Sequence, residues 1–438
     1  MNILGVEYDE IVSELIAKKP LVVVYCITYN HASYIRNALE GFVNQIVPFE
    51  MKVIVIDDAS TDGTTEIIKE YQAAYPQIFH LLIAKINTFK NKNREEIYKK
   101  IKNDFFIGKY VAYCEGDDYW TAPDKLKVQV EYMELHSDCI MTLHNAYRED
   151  MRDGKKEVMH ENEPESDLSA NELIRQKNGI WPTASIVVKK DFFVMPKIFL
   201  GCPVGDFPLQ LYAVAHGRVH YFDSCMSVYR YMVSGSWSQR TLNDFEPALL
   251  HTLKMIEFMD EYNRYTSFEY DKAIKIRKRL FYEFIVRTYK IDIGEYLECC
   301  NQLNRKTNYK YKEKIHKIME CYRHYNSDDY LSDDVKAFIK NYDKIYIMGA
   351  GEFGRKTAIK LKSNNVEFEG FAVSSDQTEY KEVFEGKKVF KLNELDKSEE
   401  HIGLLVGIIR YGWEEWDKLK EIITMQGFKS FYNPYIIE

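Results

Sequence analysis

Short apolar runs that alternate with helical patterns constrain the fold of this chain more than any other feature of its sequence. Four such runs, "PLVVVYCIT", "MKVIVID", "FHLLIA" and "YVAYC", lie in the first 115 residues and are rich in β-branched and aromatic residues. The patterns "SYIRNALEGFVNQ" and "TEIIKEYQAAY" are typical of helices and separate the first three runs. This alternation predicts βαβ units and a largely parallel sheet, so the expected fold class is α/β.

Polar side chains follow three of these predicted strands at the point where each strand ends. They are Thr28, Tyr29 and Asn30, then Asp57 and Asp58, and finally Glu115, Asp117 and Asp118. Ligands of parallel sheets bind at the carboxyl ends of the strands. The three clusters are therefore expected to share one functional edge.

The segment "EGDD" at 115–118 has two interpretations. Acids at a strand end often form only a solvated turn. Adjacent carboxylates can also hold a divalent cation and leave ligand positions for phosphate oxygens, which predicts Mg²⁺ or Mn²⁺ with a nucleotide diphosphate. The chain has no GxxxxGK[ST] loop and no HRD or DFG pair, so phosphoryl transfer is not the favoured chemistry.

The length and the change of pattern along the chain predict three domains. Residues 1–240 form the α/β domain, 241–335 read as a connector of amphipathic helices that offers a homo-oligomer interface, and 336–438 return to strand–helix alternation. The net charge of −8 argues against a nucleic-acid partner. The eight cysteines are scattered, the N-terminus carries acids, and no apolar run approaches the roughly 20 residues of a spanning helix. We expect a cytoplasmic protein, with peripheral contact at the inner face of the membrane left open.

The ordered set "CITYNHASYIRNALEGFVNQ", "VIVIDDASTDGTTEII" and "YVAYCEGDDYWTAPDKLKVQVEYM" resembles the family 2 glycosyltransferases with the GT-A fold. Similarity continues through "WPTASIVVKKDFF", "GCPVGDFPLQLYAVAHG" and "YFDSCMSVYRYMVSGSWS", about half of the chain. The segment 85–109 departs from the family pattern, because the Arg-Asn pair that relatives carry there is not clear.

The resemblance implies a role for each matching residue. Thr28, Tyr29 and Asn30 border the nucleotide base, Asp58 hydrogen-bonds a uracil-type base, and Asn87 contacts the donor. Asp118, together with Asp117, holds the metal. Asp206 is the catalytic base of inverting members, and an aspartate with an ordinary pKa is ionised at pH 7. Trp181 and Trp237 fall on the acceptor side, and Arg94 is a candidate for a phosphate contact.

A second motif lies near the C-terminus. "IYIMGAGEFGRKTA" places Gly349, Gly351 and Gly354 as GxGxxG between a predicted strand and helix, and Asp376 stands where a ribose-binding acid is expected. The segment resembles the small Rossmann-like nucleotide-binding domain of sugar acyltransferases. The alternative is that the glycines only tighten a turn and pack a helix on a strand.

The expected function is therefore inverting, metal-dependent transfer of a sugar from a UDP-sugar to a hydroxyl acceptor in surface-glycan assembly. The acceptor class, whether a glycan, a lipid-linked glycan or a protein, is open. Two alternatives use the C-terminal domain: a nucleotide-sugar oxidoreductase, and a non-enzymatic nucleotide-sugar-binding scaffold.

Overall fold

The computed structural model describes residues 1–12, 19–89, 91–175, 181–289, 293–327, 330–331, 333–375, 377–395, 401–407, 413–428 and 430–432. The chain divides into two compact units, Met1–Ile274 and Lys275–Glu438. The helix that follows position 240 lies within the first unit, although the sequence assigns it to the connector. In the described residues, no helix is both long and apolar enough to cross a membrane.

The first unit is built on a mixed sheet. Its strands are β1 (Asn2–Ile3), β2 (Val6–Ile11), β3 (Val22–Thr28), β4 (Met51–Asp57), β5 (Phe79–Ala84), β6 (Tyr110–Tyr113), β7 (Tyr119–Trp120), β8 (Cys139–Asp150), β9 (Lys156–Val158), β10 (Ser166–Asp167), β11 (Val187–Lys189) and β12 (Arg218–Tyr231). Neighbours run in the order β1-β2-β5-β4-β3-β6-β11-β8-β12-β10, while β7 pairs with β12 and β9 pairs with β8.

The helices of this unit lie between and after these strands along the chain. They are α1 (Ile35–Val43), α2 (Thr64–Ala74), α3 (Arg94–Phe105), α4 (Lys125–Leu135), α5 (Ala170–Arg175), α6 (Lys190–Phe193), α7 (Lys197–Leu200), α8 (Asp206–Val214), α9 (Trp237–Leu242) and α10 (Phe245–Tyr265). A short 3₁₀ turn covers Thr183–Ser185.

The predicted parallel βαβ core is confirmed. Strands β5, β4, β3 and β6 are adjacent and mutually parallel, and Thr28 lies opposite Asp57 at their carboxyl ends. Alternate residues of β3, including Val22 and Val24, are fully buried in the core cluster that also contains Leu39 and Phe42 of α1. Burying the apolar strand faces and helix stripes against one another leaves the polar strand ends at the rim.

The second unit contains helices followed by a smaller sheet. Its helices are α11 (Asp271–Thr288, beginning at the end of the first unit), α12 (Ile293–Lys306), α13 (Lys312–Asn326), α14 (Asp333–Lys340), α15 (Glu352–Ser363) and α16 (Trp413–Met425). Its strands are β13 (Lys344–Met348), β14 (Gly370–Val373), β15 (Val383–Phe384), β16 (Lys387–Lys391), β17 (Ile402–Val406) and β18 (Phe431–Tyr432), in the order β15-β16-β14-β13-β17-β18. The central pairs are parallel. Leu361 of α15 and Ile423 of α16 belong to two separate core clusters that share this sheet.

Candidate active site

The acid loop, residues 115–118, lies against the end of β3. The backbone N–H of Gly116 donates to the carbonyl of Ile27 at 2.9 Å, and the N–H of Asp118 closes the turn on the Glu115 carbonyl at 3.1 Å. A Cβ atom at Gly116 would stand 2.6 Å from the Thr28 hydroxyl oxygen, so a larger residue would push the loop away from the strand. The glycine therefore allows the first and last predicted clusters to meet.

Negative charge accumulates in this loop. Asp118 is 2% exposed, and its burial together with the charge of Asp117 raises the pKa of Asp118 well above its usual range. The Glu115 side chain reaches solvent but is crowded by protein atoms. Poor solvation, followed by the charges of Asp117 and Asp206, raises the pKa of Glu115 to about 8.

Arg230 of β12 holds the acid loop in place through hydrogen bonds to Asp117 and Asp118. Its backbone N–H donates to Asp118 Oδ1 at 2.8 Å, and its guanidinium donates to the Asp117 carbonyl and to Asn37 Oδ1, each at 2.8 Å. The guanidinium carbon also lies 4.5 Å from the ring centroid of Tyr119. The Arg230 side chain is buried, at 8% exposure.

The donor set of the acid loop suits a hard divalent cation. Among the described residues, no three histidine, cysteine, aspartate or glutamate side chains already converge as a cation site. Asp118 accepts from the Arg230 N–H through Oδ1, and Asp117 Oδ2 lies 3.9 Å from His31 Nε2. Magnesium-type sites typically use one or two carboxylates and complete the shell with phosphate oxygens and water.

The carboxylate of Asp58 is held in one orientation by Thr88. Its Oδ1 accepts from the backbone N–H of Thr88 at 2.8 Å and from the Thr88 hydroxyl at 2.6 Å. Asn87 Nδ2 donates to the Asp58 carbonyl at 3.0 Å, so the predicted donor contact Asn87 braces this turn. Tyr29 is 40% exposed and leaves its ring available for stacking. Thr88, which orients the carboxylate, was missed in the sequence.

The other polar residues of these strand ends hold the loops in place. Asn30 has a positive φ of 54° and its Oδ1 accepts from the Thr61 N–H at 2.8 Å. Asp57 accepts from the N–H and hydroxyl of Ser60 and from the Thr65 hydroxyl. These contacts make Asp57 a structural residue of the turn that follows β4.

Asp206 begins α8 and belongs electrostatically to the same cluster. Its Oδ1 accepts from the Phe207 N–H at 2.8 Å, and its Oδ2 accepts from the Thr183 hydroxyl at 3.3 Å. Burial raises the pKa of Asp206, so the assumption of an ordinary pKa is wrong. A carboxylate with a raised pKa is a stronger base, and Asp206 in turn raises the pKa of Glu115.

The tryptophans predicted on the acceptor side differ in exposure. Trp181 is 3% exposed and stacks on His160 with centroids 4.8 Å apart, so its indole packs in the core and presents no open surface. Trp237 is 36% exposed and contacts His251. Trp120 is also buried, and it donates its indole N–H to the Ala184 carbonyl at 3.0 Å.

The three glycines of the C-terminal GxGxxG motif differ in whether turn conformation or packing requires a glycine at their positions. Gly349 has a φ of 107°, and a Cβ at Gly354 would stand 1.9 Å from the Gly349 carbonyl oxygen, so turn and packing require both. Gly351 meets nothing within 4 Å and has an ordinary backbone conformation, so packing does not explain it. Asp376 lies outside the described residues.

One segment of the first unit matches a known protein family. Residues 23–192 match the family model described as glycosyl transferase family 2. Uncharacterized protein Rv1520 of Mycobacterium tuberculosis is 36% identical over 221 residues, which cover 49% of this chain and 60% of that protein. The dTDP-rhamnosyl transferase RfbG of Shigella flexneri is 29% identical over 111 residues, covering 25% of this chain and 37% of RfbG.

Among solved structures, S. aureus TarS 1-349 in complex with UDP-GlcNAc is similar with a TM-score of 0.42 and 15% identity, covering 71% of this chain and 93% of that one. The chain spans only 60% of the length of the mycobacterial relative. The matched segment contains all three polar strand ends, one of which is the acid loop. Residues 23–192 therefore form a glycosyl transferase family 2 domain of the GT-A type in the first unit, and the second unit adds a further sheet.

Proposed function

We propose that this chain transfers a sugar, with inversion, from a nucleotide-diphospho-sugar to a hydroxyl acceptor in the assembly of a surface polysaccharide or another glycan. The observation that carries the proposal is the convergence on one sheet edge of a braced acid at Asp58 and the acid loop, with Asp206 in electrostatic reach of Glu115. The peripheral membrane contact and the homo-oligomer through the helical connector stay predictions.

The fixed carboxylate of Asp58 favours a base that presents a ring N–H, as uracil and thymine do. Uracil and thymine both present an imide N–H, which a carboxylate oxygen accepts, and Thr88 already occupies the other oxygen. The RfbG relative is named for a dTDP-sugar, whose base carries the same imide edge. We propose UDP as the donor nucleotide, with dTDP as the comparison in every binding assay.

The chemistry assigned to Asp206 is that of a general base. The acceptor oxygen attacks the anomeric carbon, its proton passes to the Asp206 carboxylate, and the bond from the anomeric carbon to the diphosphate oxygen breaks with its electron pair on the diphosphate. The Thr183 hydroxyl and the Phe207 N–H hold this carboxylate in one orientation. Inversion follows when attack comes from the face opposite the leaving group.

The proposed cofactor is Mg²⁺ or Mn²⁺. Asp118 and Asp117 would hold it, and it would supply Lewis-acid stabilisation of the leaving diphosphate. Arg230 keeps both acids of this loop in position through the contacts described above.

A second candidate is nucleotide binding by the second unit, either as a scaffold or with a redox cofactor. Gly351 favours it, because the backbone there is open to an approaching phosphate and no packing contact calls for a glycine. Substituting Gly351 with Ala should lower nucleotide affinity only if this second site exists, while leaving the first unit unchanged.

Asp206→Asn tests the main proposal. We expect at least a ~100-fold loss of sugar transfer, since the amide cannot accept the proton, with UDP affinity changed less than about twofold. Transfer is measured as UDP release with candidate donors, and binding by calorimetry in Mn²⁺. The matched control is Asp191→Asn, an exposed aspartate of α6. Full transfer by the Asp206 variant would remove this residue from the mechanism.

A further inference from the structure

Two buried polar atoms under the acid loop have no hydrogen-bond partner among the described residues. They are the hydroxyl oxygen of Thr28, a residue that is fully buried at the end of β3, and Nδ1 of His31. A Cβ atom at Gly116 would stand 2.6 Å from the first and 2.9 Å from the second, so both atoms lie against the same glycine. Most buried polar side-chain atoms in folded proteins are hydrogen-bonded, so this unpaired couple beside a candidate site calls for an explanation.

The other ring nitrogen of His31 faces the acid loop. Its Nε2 lies 3.9 Å from Asp117 Oδ2, and both side chains are mostly buried. A neutral imidazole carries a hydrogen on one nitrogen and a lone pair on the other. The carboxylate favours the hydrogen on Nε2, which leaves the lone pair of Nδ1 to accept a hydrogen bond from the Thr28 hydroxyl.

The backbones of His31 and Thr28 are fixed by other contacts. The His31 N–H donates to the Thr64 hydroxyl at 2.8 Å, and the His31 carbonyl accepts from the Ile35 N–H at 2.8 Å. The Thr28 carbonyl accepts from the Asp58 N–H at 3.0 Å. Both side chains therefore start from rigid supports, which is what a residue needs in order to hold a third group in position.

We propose that His31 is a positioning residue for Asp117, and that the Thr28 hydroxyl orients the His31 ring. The inference rests on the proposed function, in which Asp117 and Asp118 hold a divalent cation. The Thr28 hydroxyl donates to His31 Nδ1, and His31 Nε2–H donates to Asp117 Oδ2, which leaves Oδ1 for the cation. The separation of 3.9 Å exceeds the length of a hydrogen bond, so the two side chains must approach each other by about 1 Å.

Supporting hydrogen bonds of this kind are usual around bound metals. Carboxylates that ligate a metal are themselves hydrogen-bonded, and loss of such a partner typically lowers metal affinity by about 10–100-fold. The proposed arrangement gives a partner to each of the two unpaired atoms, and it explains why a hydroxyl group is fully buried at the end of β3.

The test measures Mn²⁺ binding by the full-length protein. Mn²⁺ alone is titrated in, and the free ion is followed by electron paramagnetic resonance. His31→Phe keeps a ring without nitrogen atoms and should bind Mn²⁺ about tenfold or more weakly than the wild type. His31→Gln retains an N–H donor for Asp117 and should bind within about threefold of the wild type. Thr28→Val, which lacks the hydroxyl, should show an intermediate loss.

Two controls separate positioning from folding. His216→Phe changes an exposed histidine that follows α8, and this variant should bind Mn²⁺ as the wild type does. Thermal unfolding in EDTA is the second control. His31→Phe and Thr28→Val should melt no lower than the wild type, because the atoms that they remove give up no hydrogen bond within the described structure.

The outcomes separate this inference from the proposed function. Weaker Mn²⁺ binding by His31→Phe, with binding retained by His31→Gln and no loss of melting temperature, would support the positioning role. Equal Mn²⁺ affinity in the wild type and His31→Phe would overturn that role and leave the proposed cofactor standing. Equal losses in both His31 variants, with lower melting temperatures, would overturn it in favour of a role in folding alone. No Mn²⁺ binding by the wild type would remove the proposed cofactor, and this inference with it.

Discussion

At the scale of single residues, the crowded carboxylates of the acid loop lower the stability of the folded state. Glu115 and Asp118 both have raised pKa values, because poor solvation and neighbouring carboxylates penalise their ionised forms. Stabilities of folded domains are small, so such repulsion is a measurable cost. Functional sites commonly retain costs of this kind, since a ligand relieves them.

Glu115→Gln should therefore raise the melting temperature of the metal-free protein. Below the pKa of an unfolded glutamate, near 4.5, both states are protonated and the variant gains nothing. Between that value and about 8, the unfolded state loses its proton first, so the wild type loses stability as the pH rises. The gain of the variant should grow over this range and stay constant above it.

This difference is measured by thermal unfolding in EDTA at pH 5, 7 and 9. Glu131→Gln, an exposed glutamate of α4, is the control and should show no growing gain. A Glu115 variant that melts like the wild type at every pH would contradict the raised pKa.

At the scale of elements, β12 connects the acid loop to α1. Arg230 donates to the backbone of the loop and to Asn37, and its removal would take a charged donor from these two acceptors. A hydrogen bond to a charged group contributes about 1.5–3 kcal/mol to stability. The placement of the acids thus depends on a strand more than a hundred residues away in sequence.

Arg230→Gln should lower both stability and donor affinity. We expect a destabilisation of about 2 kcal/mol or more and at least tenfold weaker UDP binding in Mn²⁺, because the loop loses its clamp. Arg218→Gln on the same strand, whose ion pairs with Asp138 and Asp167 are more exposed, should leave UDP affinity unchanged. Chemical denaturation and calorimetry measure the two effects; unchanged UDP affinity in the Arg230 variant would show that the loop holds without it.

At the scale of the whole molecule, the first compact unit extends beyond residue 240, where the sequence predicts that the α/β domain ends. Helix α10 packs on it: the Tyr262 hydroxyl donates to the Leu211 carbonyl at 3.2 Å, and Met255 Sδ lies 3.6 Å from Cys202 Sγ. Ile256 and Met259 of the same helix are fully buried. Residues 241–265 therefore contribute core to the unit that carries the acid loop.

A fragment of residues 1–274 should be monodisperse and bind UDP as the full chain does, whereas a fragment of residues 1–240 should aggregate. Removing α10 would expose the apolar side chains that it covers, at about 25 cal/mol per Å². Gel filtration and calorimetry on both fragments test this expectation. A well-folded 1–240 fragment would show that a domain ending at residue 240, as the sequence predicts, folds without α10.

Much of the fold follows from local pattern. Strand β5 coincides with the predicted "FHLLIA", and α10 coincides with "FEPALLHTLKMIEFMDEYNRY", because apolar periodicity reports directly which face of an element is buried. The candidate residues Asp58, Asp118 and Asp206 were likewise found from strand ends and family motifs. What these residues contact was not predictable, since a hydrogen-bond partner can lie anywhere in the chain.

The sequence by itself determined the α/β class, the acidic strand ends and the resemblance of the first half of the chain to the family 2 glycosyltransferases. Only the tertiary structure decided that Asn87 braces Asp58, that Trp181 is buried and that Arg230 holds the acid loop. The physical reason is range. Periodicity and turn chemistry act over a few neighbouring residues, whereas burial, solvation and the pairing of charges depend on which distant segments the folded chain brings together.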